Sequence, residues 1–210
     1  MVCAKIVSGL ALCAGLFLIA PFTVMAAKGS GSSITTISST SAATTSVSSE
    51  FQWKDHSHLS WEDFRGPVHA ESEESAAATN CSIGFKTIMP AVGSTPEIVV
   101  YNKFYINRSW VRSDAKVSTI LTHEQGHFDL CEVYTRELKR RMDAFRFEGA
   151  TNVRQSLYNI YEAVSREYEA RQQAYEQETA HGTILGEQAR WVKAIALELE
   201  EPAHIFWASK

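Results

Sequence analysis

Two histidines one helical turn apart, with a glutamate directly after the first, make up His123-Glu124-Gln125-Gly126-His127. Side chains four apart on an α-helix lie on one face, so both imidazoles can bind one metal ion. Glu124 sits about 100° round from His123, beside such an ion rather than on it. It is placed to take a proton from a water whose pKa zinc has lowered to about 7. The pattern predicts a Zn2+-dependent hydrolase with Glu124 as the catalytic base and His123 and His127 as metal ligands. The plain alternative is two solvated histidines on an ordinary amphipathic helix. Gly126 weighs against it. Glycine costs a helix interior about 1 kcal/mol against alanine, and close approach by another backbone is one reason to tolerate it.

A zinc hydrolase usually takes a third protein ligand and leaves a fourth position open. The metzincin pattern would put glycine and histidine three and six residues after His127, but Leu130 and Val133 stand there. The third ligand must come from elsewhere. His181, at the end of the next predicted helix and just before Gly182, is the first choice, then Glu178 and Glu176. Asp129 is either an outer acceptor for a ligand imidazole or a solvated helix residue. Tyr175 is either an oxyanion donor or a core aromatic. His56, His58, His69 and His204 lack a helical partner at ligand spacing and read as surface or loop residues. Neutral imidazoles would also hold cobalt, nickel or copper, so zinc is inferred from ligand type.

The elements that position these groups divide along the chain. Trp53, Leu59, Trp61 and Phe64 punctuate short polar segments that end at the turn signal Gly66-Pro67. Ser82 to Met89 alternates loosely. Glu97 to Val111 is the best strand candidate, with an extended aromatic-rich run. The stretch from Phe104 to Trp110 is expected to lie beside the metal cleft, where an edge strand would pair with an extended peptide. From Ser113 or Asp114, either a fit N-cap, a helical pattern runs through Val117, Leu121, Phe128, Leu138 and Met142. A second helix is expected from about 151 to 180, with Gly182 as its cap glycine, and a third from about 185 to 201, stopped by Pro202. Strands followed by helices predict an α+β domain, with a small N-terminal sheet packed on the motif helix and two further helices behind it.

Around this domain, at about 50–210, two other regions are expected. Lys5 and the apolar run from Ile6 to Ala20, broken by Pro21, read as a signal peptide over 1–27. Residues 28–49 are nearly all Ser, Thr, Gly and Ala, a composition that predicts a flexible linker. The formal net charge is -4, and no Lys/Arg block is present, which argues against nucleic acid as a partner. Cys3 and Cys13 would leave with the signal. Cys81 and Cys131 would remain in a compartment that permits disulfides, so a bridge between them and a pair of free thiols are both open.

Four separated stretches also resemble a known family: Trp61-Glu62-Asp63-Phe64-Arg65-Gly66, Ser109-Trp110, Leu121 to Asp129, and Tyr175-Glu176-Gln177-Glu178-Thr179-Ala180-His181-Gly182. In order and over roughly residues 50–200 they are similar to a bacterial family of secreted proteins, a domain of unknown function usually described as zinc-dependent proteases. The resemblance implies a zincin-like arrangement and a periplasmic or secreted location. Its metal-binding histidines fall on His123, His127 and His181, and Glu176 stands where the family has aspartate. The expected activity is that of a metallopeptidase acting on a peptide or protein substrate, with no membrane insertion after signal cleavage. A non-catalytic envelope protein with a structural or ligand-binding metal site, and an amidase acting on cell-wall peptides, are the rivals.

Overall fold

The computed structural model describes residues 48–68, 75–88, 96–147 and 152–200. The expected signal peptide, nearly all of the Ser/Thr linker, His69, His204 and the Pro202 stop lie outside the described residues. Alternating apolar and polar side chains give two long antiparallel strands, β3 (Cys81–Ile88) and β4 (Glu97–Tyr105), in register from Cys81↔Phe104 to Ile88↔Glu97. Antiparallel partners share a face, so Cys81, Ile83 and Phe85 lie with Phe104, Asn102 and Val100 on one side of the ladder. Strand β1 (Glu50–Phe51) adds to the far side of β4, giving the order β1-β4-β3. A second, two-stranded sheet joins β2 (Ala77–Ala78) to β5 (Trp110–Val111).

The expected single strand over Glu97 to Val111 is therefore two strands, separated by a turn at 106–108. Phe104 and Tyr105 do not form an edge, because β1 pairs with both of them and β3 pairs with Phe104 on the opposite side. An approaching peptide would find those backbone groups already bonded. This overturns the expected docking edge at Phe104.

Helix α1 (Ser118–Asp143) packs against β3 and β4 as well as both other helices. Its side chains are buried around most of its girth, which is why the apolar stripe in its sequence is broad. The sheet side meets it through an aromatic cluster: Phe104 packs edge-on to Phe128 at 5.4 Å between ring centroids and is stacked on Phe51 at 4.8 Å. Ser113 and Asp114 do not cap this helix as expected. They form a separate 3-10 turn (Ser113–Ala115), in which the Asp114 carboxylate accepts from Arg112 Nε and Nη2, and α1 starts later with Val117 as its N-cap.

Helix α2 (Val153–Thr179) starts at Asn152, whose side chain accepts the Gln155 N–H, and α3 (Leu185–Glu200) follows after a short turn. Among the described residues the architecture is α+β, two small antiparallel sheets and three α-helices. No helix among the described residues is long and apolar enough to cross a membrane.

Candidate metal centre

On α1, His123, Glu124 and His127 are 1 %, 0 % and 8 % exposed. Burial of two imidazoles needs specific partners, and the neighbouring helices supply them for His123 and His127. Gly126 opens the space. A Cβ there would overlap the Tyr175 hydroxyl and stand 2.6 Å from its Cζ, so only glycine lets the α2 ring lie across α1. The close approach that the glycine permits comes from this side chain rather than from another backbone. Tyr175 stacks on the His123 ring with 4.8 Å between centroids and 19° between planes.

From that contact a closed loop of hydrogen bonds follows. The Tyr175 hydroxyl donates to the His123 carbonyl at 3.0 Å, Gln188 Nε2 donates to the Tyr175 hydroxyl at 2.7 Å, and Gln188 Oε1 lies 3.1 Å from His123 Nδ1. The amide nitrogen is already committed, so its oxygen must accept, and His123 carries its proton on Nδ1. His127 is gripped in the same manner. Gln172 Nε2 donates to the His127 carbonyl at 2.9 Å, and Gln172 Oε1 lies 2.6 Å from His127 Nδ1. Both Nε2 atoms thereby face inward, 3.2 Å apart. Two bare lone pairs at that separation would repel, so a cation, proton or metal, belongs between them.

A third donor completes the group. Glu176, next to Tyr175 on α2, places Oε2 at 3.3 Å from His123 Nε2 and Oε1 at 3.2 Å from His127 Nε2. Among the described residues, His123, His127 and Glu176 form the buried His/Cys/Asp/Glu group able to hold a metal ion. Two imidazoles with one carboxylate are a usual metal donor set, and tetrahedral bonds of about 2.0–2.1 Å require donors about 3.3 Å apart; the contacts to the two imidazoles have that spacing but fall on different oxygens of Glu176. Glu176 Oε1 makes no hydrogen bond despite its nearness to His127, and both Glu124 oxygens are buried without a partner.

Charge reinforces the arrangement. Burial opposes a charged His127, but the Glu176 carboxylate and the Glu124 charge outweigh it and raise the imidazole pKa to about 9. Burial likewise opposes a charged Glu176, yet His123 and His127 hold its carboxyl well below the usual range. The two carboxylates thus favour a positive charge among the imidazoles.

The remaining candidates fall elsewhere. His181 is outside the three-donor group, and its Nδ1 meets Glu176 Oε2 at 2.7 Å. The chain leaves helical geometry at Ala180, and this turns the ring toward the carboxylate. Glu178 is at the surface, paired with Arg190 and accepting the Trp191 N–H. Asp129 serves neither as a solvated residue nor as an outer partner of an imidazole: it accepts from Trp53 Nε1 at 2.8 Å and from Gln125 Nε2 at 2.7 Å. Gln125 also receives the Leu59 N–H and donates to the Ser57 carbonyl, so the first variable position of the motif ties the segment before Trp61 onto α1. His56 pairs with Asp63 and His58 with Ser57, both at exposed positions. Tyr175 is fully buried, as a core aromatic. Cys81 and Cys131 are free thiols, with Cys81 also beside the Tyr168 hydroxyl and the His127 carbonyl.

Sequence reasoning ranked Glu176 last and did not single out Gln172 or Gln188. The helical period contained a usable signal: Gln172 and Glu176 are four apart, and Tyr175 lies on the same inward side. With this geometry in view, the chain belongs to a family described as a bacterial protein of unknown function (DUF922), matched over residues 39–182. No curated protein and no solved structure matches the chain.

Proposed function

We propose that this member of the DUF922 family is an exported metallohydrolase of the bacterial envelope, a zinc-dependent peptidase of zincin-like build. Glu124 is its general base, and His123, His127 and Glu176 are the residues that would hold the ion. The observation that carries this reading is the Glu124 carboxylate, which is fully buried in the HExxH turn with both oxygens unpartnered. A carboxylate with only a structural role would be solvated or paired, since an unpaired buried charge costs several kcal/mol. Unused acceptor capacity suits a group that meets the proton of a water or substrate.

A bound divalent ion would supply polarisation of the scissile carbonyl and acidification of a nearby water. The chain supplies the rest. Glu124 takes the proton of the attacking water and passes it to the leaving amine. Gln188 and Gln172 keep the imidazole protons on Nδ1, so that His123 and His127 remain electron-pair donors at Nε2. Tyr175 and Gly126 fix the distance between α1 and α2, and with it the position of Glu176.

The second reading, a non-catalytic metal centre, draws on how enclosed the site is, with His123 and Glu124 at 1 % and 0 % exposure. The Glu124→Gln variant separates the two. Metal content should stay at the wild-type level, while cleavage of casein or of purified cell-wall peptide falls by a factor of about 10²–10⁴. Equal hydrolysis by variant and wild type would remove Glu124 as the base. Metal-loaded wild type that cleaves neither substrate would leave the structural reading in possession. Which of the two substrates is cleaved divides a protease from a cell-wall amidase.

A further inference from the structure

We propose that His181 is a positioning residue: its Nδ1–H holds Oε2 of Glu176, so that the carboxylate turns Oε1 toward the centre formed with His123 and His127. This inference rests on the metal-centre reading above and adds a residue to it. The 2.7 Å contact with His181 is the shortest that Glu176 makes in the site, against 3.2 and 3.3 Å to the two ligand imidazoles. Oε1 faces His127 Nε2 at 3.2 Å and has no hydrogen bond, whereas Oε2 is held by His181 and stands 3.3 Å from His123 Nε2. A monodentate ligand with its second oxygen tied back has this division of labour.

The backbone supports the same conclusion. Ala180 and His181 have φ of 45° and 58°, and they are the non-glycine residues with positive φ among those described; Gly182 follows at 75°. A helix C-terminus commonly uses one left-handed residue, and glycine takes that conformation without strain. Holding a histidine there strains the backbone, so a ring at this position must gain something from its surroundings. What it gains is a two-point grip on Glu176, since the His181 N–H bonds the Glu176 carbonyl at 3.0 Å while the ring bonds the carboxylate. The turn is seated against the first ligand as well. A Cβ on Gly182 would stand 2.8 Å from His123 Cβ and 2.9 Å from His123 Cγ. Thr179 secures it, its hydroxyl accepting the Gly182 N–H and its carbonyl the Ile184 N–H.

Three variants separate the ring's hydrogen bond from the backbone strain. His181→Gly relaxes the left-handed backbone but removes the donor. His181→Asn keeps a donor near the Nδ1 position and tolerates positive φ. Zinc affinity of the full mature protein, measured by competition with a chromogenic chelator, should fall about 10–100-fold in His181→Gly and His181→Ala. His181→Asn should recover most of that loss, with one zinc still bound per chain. Wild-type affinity in His181→Gly would overturn the proposal. So would an Asn variant as weak as the Gly variant, which would make His181 a ligand itself. The contact is also tested without metal. Two-bond 15N–1H correlations should show the neutral His181 ring protonated on Nδ1 in wild type, and the signal should shift in Glu176→Gln. A ring protonated on Nε2 would overturn the assignment. Because neither readout is hydrolysis, failure here is distinct from failure of the peptidase reading.

Discussion

Replacing Gly126 with alanine tests the packing that builds the centre, because two views of the motif helix predict opposite signs. On a solvated helix the change is favourable by about 1 kcal/mol, the difference in helix propensity. In this structure the new methyl meets Tyr175, with its Cβ 2.6 Å from Cζ. The ring belongs to a buried residue stacked on His123, so it has no free space to swing into. Overpacking of this kind costs about 1–3 kcal/mol. Displacing the hydroxyl also breaks its bonds to the His123 carbonyl and to Gln188, at about 1 kcal/mol each. Setting the propensity gain against these losses leaves a destabilisation of about 2–4 kcal/mol. For a domain of this size that lowers Tm by about 4–16 °C. Thermal unfolding followed by circular dichroism, on chelator-treated protein at one pH, avoids the stabilising effect of bound metal. Zinc affinity should fall in parallel, since Gln188 and His123 lose their register. A Gly126→Ala protein with a higher Tm than wild type would refute the close crossing of α1 and α2, and with it the placement of Glu176.

Two further expectations follow from the charges and amides of the site. His127 titrates near 9 in the folded metal-free protein against about 6.5 unfolded, so its contribution is complete below 6.5 and disappears as pH rises through 9. Glu176, held low, contributes above its ordinary range near 4.5 and loses that contribution only in acid. Metal-free protein should therefore be most stable between about pH 5 and 6.5 and lose stability on the order of 3 kcal/mol by pH 9, a decline that saturating zinc should abolish. Denaturant titrations across that range check it, and a metal-free stability that rises from pH 6.5 to 9 would contradict the site's electrostatics. Gln172→Leu removes the acceptor for His127 Nδ1–H while leaving all three donors in place, so zinc affinity should fall about 10–100-fold at unchanged stoichiometry. Competition titration measures this, and unaltered affinity would show that the amide does not orient the imidazole.

The grouping of candidate residues on α1 was legible in the residues alone. His123, Glu124 and His127 are local: four-residue spacing on a helix puts the imidazoles together whatever the rest of the chain does. The helical periods and strand alternation likewise carried the α+β class, because each element's buried face is written in its own residues. The third donor is not local. His181, Glu178 and Glu176 all stood near the end of the second helix, and which of them meets α1 depends on the rotation of α2 about its axis. That rotation is set where Tyr175 crosses Gly126, a contact between residues that no spacing rule connects. The same crossing brings Gln188 of α3 onto His123, and the left-handed turn after Thr179 sets His181 on the Glu176 carboxylate. Strand order was hidden for a similar reason. Phe104 reads as part of a strand, but its place between β1 and β3 depends on which segments bury it, and that is decided only when the sheet packs on Phe128.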